Sequence, residues 1–157
     1  VLCPAAAFTS TGVFLTSIDL YFSTKDANIP ITVQLRNTVN GYPGSKILPF
    51  GEVTINPSSV NTSSDASVKT TFTFPAPVYI QDKTEYCFVV LSNSDEYNCY
   101  VGRLGETNIG SNRTISAQPY TGVFFKSQNG VTWSADQNED LKFKIKNKTP
   151  NNNTFLI

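Results

Sequence analysis

Leu141, Phe143 and Ile145 alternate with Lys142, Lys144 and Lys146 near the C-terminal end of the chain. Successive side chains of a strand point to opposite sides, so this alternation suits a strand with one wet face and no helix. The same period runs over 31–39, where Ile31, Val33 and Leu35 read as inward and Thr32, Gln34 and Arg36 as outward. It recurs where Phe72 and Phe74 alternate with Thr71 and Thr73, in a strand that Pro75 and Pro77 should end or confine to a sheet edge. Residues 12–23 follow it approximately, with Phe14, Ile18, Leu20 and Phe22 on one face and Leu15, Ser17, Asp19 and Tyr21 on the other. The run from Tyr86 to Leu91 is apolar on both faces and reads as a central strand covered on each side.

Composition agrees with these patterns. Thr, Val, Ile, Phe, Tyr and Trp number 60 of 157 residues, against 39 for Ala, Leu, Glu, Lys, Gln, Arg and Met, so propensity favours strands. Asn, Ser and Thr number 48 while 15% of residues are charged, which leaves the surface to be wetted by hydroxyls and amides and excludes a coiled coil. Turn-forming clusters arrive every 8 to 15 residues, the spacing of short strands in a sandwich or barrel. Asn40-Gly41-Tyr42-Pro43-Gly44 predicts a surface loop with Tyr42 near its apex, 56–67 a polar loop, and 135–139 the one place for a helical turn. The reading is an all-β chain, an antiparallel β-sandwich of jelly-roll type with about eight or nine strands. It divides into a connecting segment over 1–11, a single domain over 12–147 and a polar tail over 148–157.

Charge narrows the function. Lys plus Arg and Asp plus Glu are both 12, so no net field favours nucleic acid or an anionic membrane. No apolar run has the roughly 20 residues of a membrane helix, and the start lacks the pattern of a signal peptide. Met is absent, position 1 included, which suggests a processed product, a segment of something longer or a missing start. The three cysteines, Cys3, Cys87 and Cys99, have no CxxC spacing and no His beside them, which argues against a zinc site. A hairpin pairing Leu91 with Tyr97 would set Cys99 near Val89 and not Cys87, so free thiols packed as small hydrophobes are expected.

Without His, nucleophile systems that rest on an imidazole cannot be built, and a general base would have to be a carboxylate or Lys. The adjacent pairs Asp95/Glu96 and Glu139/Asp140 do not by themselves converge on one substrate as a glycosidase pair must. Asp95 with Asn93 and Asn98 could offer oxygens to calcium, yet without the alternation of a calcium loop. No catalytic residue, metal or cofactor is therefore assigned. The aromatics not on a core stripe are Tyr42, Tyr97, Tyr100, Tyr120 and Trp133, candidates for stacking on a glycan or touching a partner; Trp133 reads first as a core or rim packing residue and only second as such a contact. The ladder of Lys142, Lys144 and Lys146 reads as an edge blunted against aggregation or as a face for an acidic partner. In the tail, Phe155, Leu156 and Ile157 gain from burial only by docking on another subunit, and 1–8 is a second docking candidate.

Several longer motifs stand together: GVFLTSIDLYFS over 12–23, VNGYPG over 39–44 with LPF over 48–50, FTFPAPVY over 72–79, EYCFVVLSNS over 85–94, and FKSQNG over 125–130 followed by Trp133. Over about 12–146 the chain resembles a module of large virion structural proteins of contractile-tailed bacteriophages, including cyanophages. Residues 1–11 and 147–157 depart from that pattern. The resemblance implies a non-enzymatic component of a phage tail, baseplate or fibre, made in the host cytoplasm and carried in the virion. It implies other virion proteins as partners in an oligomeric assembly. It transfers no catalytic residues: Phe14, Ile18, Phe72, Phe74, Phe88 and Val90 fall to packing, and Gly41, Pro43 and Gly44 to loop geometry. The alternative is a carbohydrate-binding module that recognises a cell-surface glycan.

Overall fold

The computed structural model describes residues 5–9, 13–103, 106–107 and 124–148. Twelve strands and one short 3-10 turn (Pro57–Ser59) are formed there, with no α-helix among the described residues. The strands are β1 (Ala5–Thr9), β2 (Val13–Thr24), β3 (Ile31–Val39), β4 (Tyr42–Ile55), β5 (Lys69–Ile80), β6 (Glu85–Ser92), β7 (Asn98–Cys99), β8 (Val101–Arg103), β9 (Phe124–Lys126), β10 (Ser134–Asp136), β11 (Glu139–Leu141) and β12 (Phe143–Lys148). A six-stranded sheet runs in the order β10-β9-β1-β6-β3-β4 and a second in the order β12-β2-β5, with β7 also on β2; β11 and β8 form a separate ribbon. All of these named-strand pairings are antiparallel.

One core joins the two larger sheets. Ile18, Leu20 and Phe22 of β2, Phe72, Phe74, Val78 and Ile80 of β5, and Phe143 and Ile145 of β12 meet Ile31, Val33 and Leu35 of β3 and Phe88 and Val90 of β6. The arrangement is all-β and consistent with a β-sandwich. Phe88 meets Phe143 with centroids 4.9 Å apart, and Phe22 meets Phe72 at 6.3 Å, edge-to-face or tilted contacts that aromatic rings favour. The strand β6 is central, as its two-sided apolar run predicts: Cys87 and Val89 point away from the main core into a second cluster with Phe125, covered by Leu91 and Trp133.

The alternation expected for 12–23 breaks at one place. Against β12, Ser17 and Leu15 pair with the consecutive Lys146 and Asn147, so Thr16 is an extra, bulged residue of β2; Leu15 is 1% exposed in the core and Phe14 is 47% exposed against Tyr79, the reverse of the sequence reading. Beyond the bulge, Ile18, Leu20 and Phe22 face inward as expected. β5, at the edge of its sheet, runs on through Pro75 and Pro77, which fall in the stretch 74–77 that stands opposite Thr16 alone, where the ladder to β2 is interrupted.

Other expectations are corrected. Ala5–Thr9 is not a connecting segment but a strand hydrogen-bonded between β6 and β9. Asn40 and Gly41, with φ of 52° and 80°, make a two-residue hairpin turn, so Tyr42 opens the long strand β4 and is not the apex of a loop. Of the strand expected over 97–104, the described part, 97–103, makes no hairpin with β6. Its β7 pairs with β2 and its β8 with β11, because the linker crosses from one sheet to the other. The helical turn expected over 135–139 is instead a tight turn between β10 and β11, where Asp136 Oδ1 accepts the Asn138 N–H at 2.9 Å. Splitting of long runs and the extra β1 raise the strands above the eight or nine expected. β12 reaches Lys148, one residue into the expected tail.

Candidate functional site

The crossover that breaks the expected hairpin closes over a cavity between the strands. Asp26, in the β2–β3 connection, accepts the Asn28 and Ile29 N–H groups on Oδ1 at 2.6 and 2.8 Å, and the Ser94 hydroxyl on Oδ2 at 2.6 Å. Those three donors, Ser94 first, hold its carboxyl below the usual range. Ser92 donates to the Pro30 carbonyl at 3.1 Å and Tyr97 to that of Ile29 at 2.5 Å. The 92–97 linker is thus tied to the β2–β3 connection before it reaches the second sheet.

Below this crossover lies a cavity of about 210 Å³. Ile31, Val90, Phe124 and Leu141 supply apolar walls, and Tyr97, Asn98, Lys126 and Glu139 supply polar groups. Lys126 pairs with the buried Glu139 and, at 3.2 Å, with Asp136; the Glu139 carboxylate chiefly raises the Lys126 ammonium above its usual range. The cavity also meets Cys99, whose thiol burial pushes up to about 12. Burial does the same to Cys87, again to about 12. Both cysteines are free thiols held neutral, as expected for small packing residues, and Cys3 lies outside the described residues.

The carboxylate pairs do not converge. Glu139 faces Lys126 and the cavity, whereas its neighbour Asp140 points to the other side of β11, where Oδ2 is buried with no hydrogen-bond partner and desolvation raises its carboxyl above the usual range. Asp95 and Glu96 are exposed, and the Asn98 amide donates to Thr24 Oγ1 at 2.6 Å. Among the described residues, no group of three or more His, Cys, Asp or Glu is placed to hold a metal ion.

The aromatic candidates are divided between two regions. Tyr97 is half-buried, edge-on to Phe22 at 6.1 Å, and the half-buried Tyr100 donates to the Ser63 carbonyl at 2.5 Å. Tyr42 lies on Phe125 with centroids 5.4 Å apart, and Trp133 packs on the cluster that contains Phe125, its Nε1 buried without a partner. Tyr42 and Trp133 therefore belong to the outer side of the six-stranded sheet, away from Tyr97 and Tyr100. Tyr120 lies outside the described residues, as do Phe155, Leu156 and Ile157. Of the lysine ladder, Lys142 sits over the Tyr21 ring at 4.3 Å and donates to the Ala66 carbonyl at 2.7 Å, and Lys146 pairs with Asp19 at 3.1 Å. Lys144 is exposed on β12, which ends its sheet.

Sequence reasoning named Tyr42 on the β3–β4 ribbon but passed over the bulge further along it. Leu48, Pro49, Phe50 and Gly51 stand opposite Leu35 alone, because the register jumps from Arg36↔Ile47 to Gln34↔Glu52. Phe50, at the crest of this wide bulge, has φ of 61° and is 62% exposed. A left-handed backbone is unusual for so bulky a residue and costs about 1–3 kcal/mol. Gly51 beside it is fixed by contact, since an added Cβ would meet the Leu48 carbonyl oxygen at 2.8 Å. Val39, Tyr42 and Ile47 are exposed on the same ribbon. The Pro-Phe-Gly triplet inside a strand was the available signal, since each flanking residue type marks a break in a ladder.

Comparison with known proteins adds no relative: no family model matches the chain, and no curated protein or solved structure matches it.

Proposed function

We propose that this chain is a non-enzymatic structural and interaction protein of a bacteriophage tail, baseplate or fibre assembly, partnered by other virion proteins. The observation that carries the interaction reading is the β3–β4 ribbon: β4, which ends its sheet, exposes Tyr42, Ile47 and a backbone-strained Phe50, with Val39 exposed at the end of β3 beside it. Apolar side chains gathered at a sheet edge favour a protein contact, and strain is kept where a surrounding structure or a task requires it. Of the motif residues to which the virion resemblance gives a packing role, Ile18, Phe72, Phe74, Phe88 and Val90 lie in the core, whereas Phe14 is exposed against Tyr79. Asp26 with its Ser94 donor, Lys126 with Glu139 and Asp136, and Asp19 with Lys69 and Lys146 are engaged in contacts that hold loops and strands. A jelly-roll winding is supported by the chain's repeated crossing between sheets, from β2 to β3 and β4, back to β5, and over again to β6.

Quantitative mass spectrometry of purified particles tests the assignment. The chain should appear at fixed stoichiometry to the other tail proteins, and its absence from intact virions would end the proposal.

A glycan-recognition module is the second reading. It draws on the groove lined by Gln128, Asn129, Thr132 and Ser134 at the loop that carries Trp133, since amides and hydroxyls suit sugar hydroxyls. Against it stands the separation of Tyr42 and Trp133 from Tyr97 and Tyr100. Calorimetry with candidate host glycans should show no binding down to about millimolar affinity, roughly 4 kcal/mol; a tighter saccharide would make this the leading function.

A further inference from the structure

We propose that Asn40 is a site of spontaneous deamidation and that the fold protects Asn129 from the same reaction. The sequence contains two Asn-Gly pairs, Asn40-Gly41 and Asn129-Gly130. Asn before Gly is prone to this chemistry because, with no Cβ, the following residue obstructs least the approach of its backbone nitrogen to the Asn side chain. The Gly nitrogen bonds to Cγ, the bond from Cγ to Nδ2 breaks, and the amide leaves as ammonia, taking up the proton that the Gly nitrogen loses. The five-membered imide then adds one water and opens at either carbonyl, giving aspartate or isoaspartate. Water is the only co-reactant, and nothing is oxidised or reduced.

The surroundings of the two pairs differ at each atom that must move. Asn40 and Gly41 form the exposed tip of the β3–β4 hairpin, and a Cβ placed on Gly41 would find no atom within 4 Å. Around Asn129 the reacting groups are held. Its Oδ1 accepts the Val131 and Thr132 N–H groups at 2.9 and 2.8 Å and the Ser127 hydroxyl at 3.1 Å. The nitrogen that would attack, that of Gly130, donates to Ser127 Oγ at 2.9 Å, and Gly130 itself is buried against Leu91. Attack at Asn129 requires releasing these bonds together, whereas Asn40 needs only a local opening of its two-residue turn. The product at Asn40 carries a new carboxylate beside the exposed Val39 and Tyr42, and in the iso form an extra backbone methylene at the turn that sets the β3–β4 register.

The test is to hold the full-length chain at mildly alkaline pH, then digest samples taken over time and quantify by mass spectrometry the aspartate and isoaspartate forms of each Asn-Gly peptide. In the folded protein, conversion at Asn40 should outpace that at Asn129 on the order of tenfold or more, the ratio that losing at least one or two hydrogen bonds corresponds to. In denaturant the two rates should converge, and N40Q should remove the first product. Equal conversion in the folded protein, faster conversion at Asn129, or a gap that survives in denaturant overturns the proposal.

Discussion

Lys146 places its ammonium nitrogen 3.1 Å from Oδ2 of Asp19, a carboxylate with no exposed surface on the outward side of the smaller sheet. Three neighbours keep it there: Thr71 donates to Oδ1 at 2.6 Å, and Lys69 stands 3.7 Å from Oδ2. Each comes from a different part of the sheet, β12, β5 and the start of β5, with Asp19 on the strand between them. D19A removes a charge-assisted hydrogen bond and leaves two lysines that water reaches, so it should cost about 1.5–3 kcal/mol in urea unfolding. K144A, on the same strand but exposed, should fall within about 0.5 kcal/mol of the parent protein. An equal loss in the two variants would mean that Asp19 does not join the strands.

The bulge in β2 gives a second expectation, opposite to that of simple alternation. L15A empties a filled core position and should cost about 2–5 kcal/mol, whereas F14A should cost about 1 kcal/mol or less, chiefly its contact with Tyr79. Thermal or chemical unfolding of both variants checks this. The reverse order would place Phe14 in the core and remove the bulge.

Asp26 and Asp140 should shape the acid limb of stability in opposite directions. The Asp26 carboxyl is held below its usual 3.8 in the folded protein, so its contribution is present above that value and is lost as pH falls through the folded one. D26N should therefore lower the melting temperature at neutral pH and flatten its decline in acid. Asp140 is raised above 3.8 by burial, so its charge weakens the fold at neutral pH and the penalty fades as pH falls through the raised value. D140N should raise the neutral melting temperature and lose that gain below 3.8. Parallel pH profiles for the two variants would contradict this account.

Much of the fold was legible because alternation survives wherever strands pack evenly. The inward sets Ile31, Val33 and Leu35, Phe72 and Phe74, and Phe143 and Ile145 were readable from period alone, as was β6 by its two apolar faces. What was hidden depended on single extra residues and on long-range ties. One bulged residue, Thr16, exchanges Phe14 and Leu15, and the 92–97 linker crosses between sheets because Asp26, 68 positions from Ser94, captures it. The candidate surface was less legible still. Tyr42 and Trp133 come together through Phe125, and Phe50 becomes prominent only because four residues of β4 oppose one of β3, which no local pattern records.

The strained Phe50 offers the most direct test of the interaction account, since it separates stability from assembly. Glycine relieves the left-handed backbone at a cost of little burial, because the side chain is 62% exposed. F50G should leave the isolated protein as stable as the parent or up to about 1 kcal/mol more so. Particles produced with F50G as the only copy of the chain should nevertheless carry markedly less of it than particles made with the parent, counted by quantitative mass spectrometry against the other tail proteins. Incorporation of F50G at the parental level, with stability unchanged or raised, would contradict the claim that this ribbon joins the chain to its assembly.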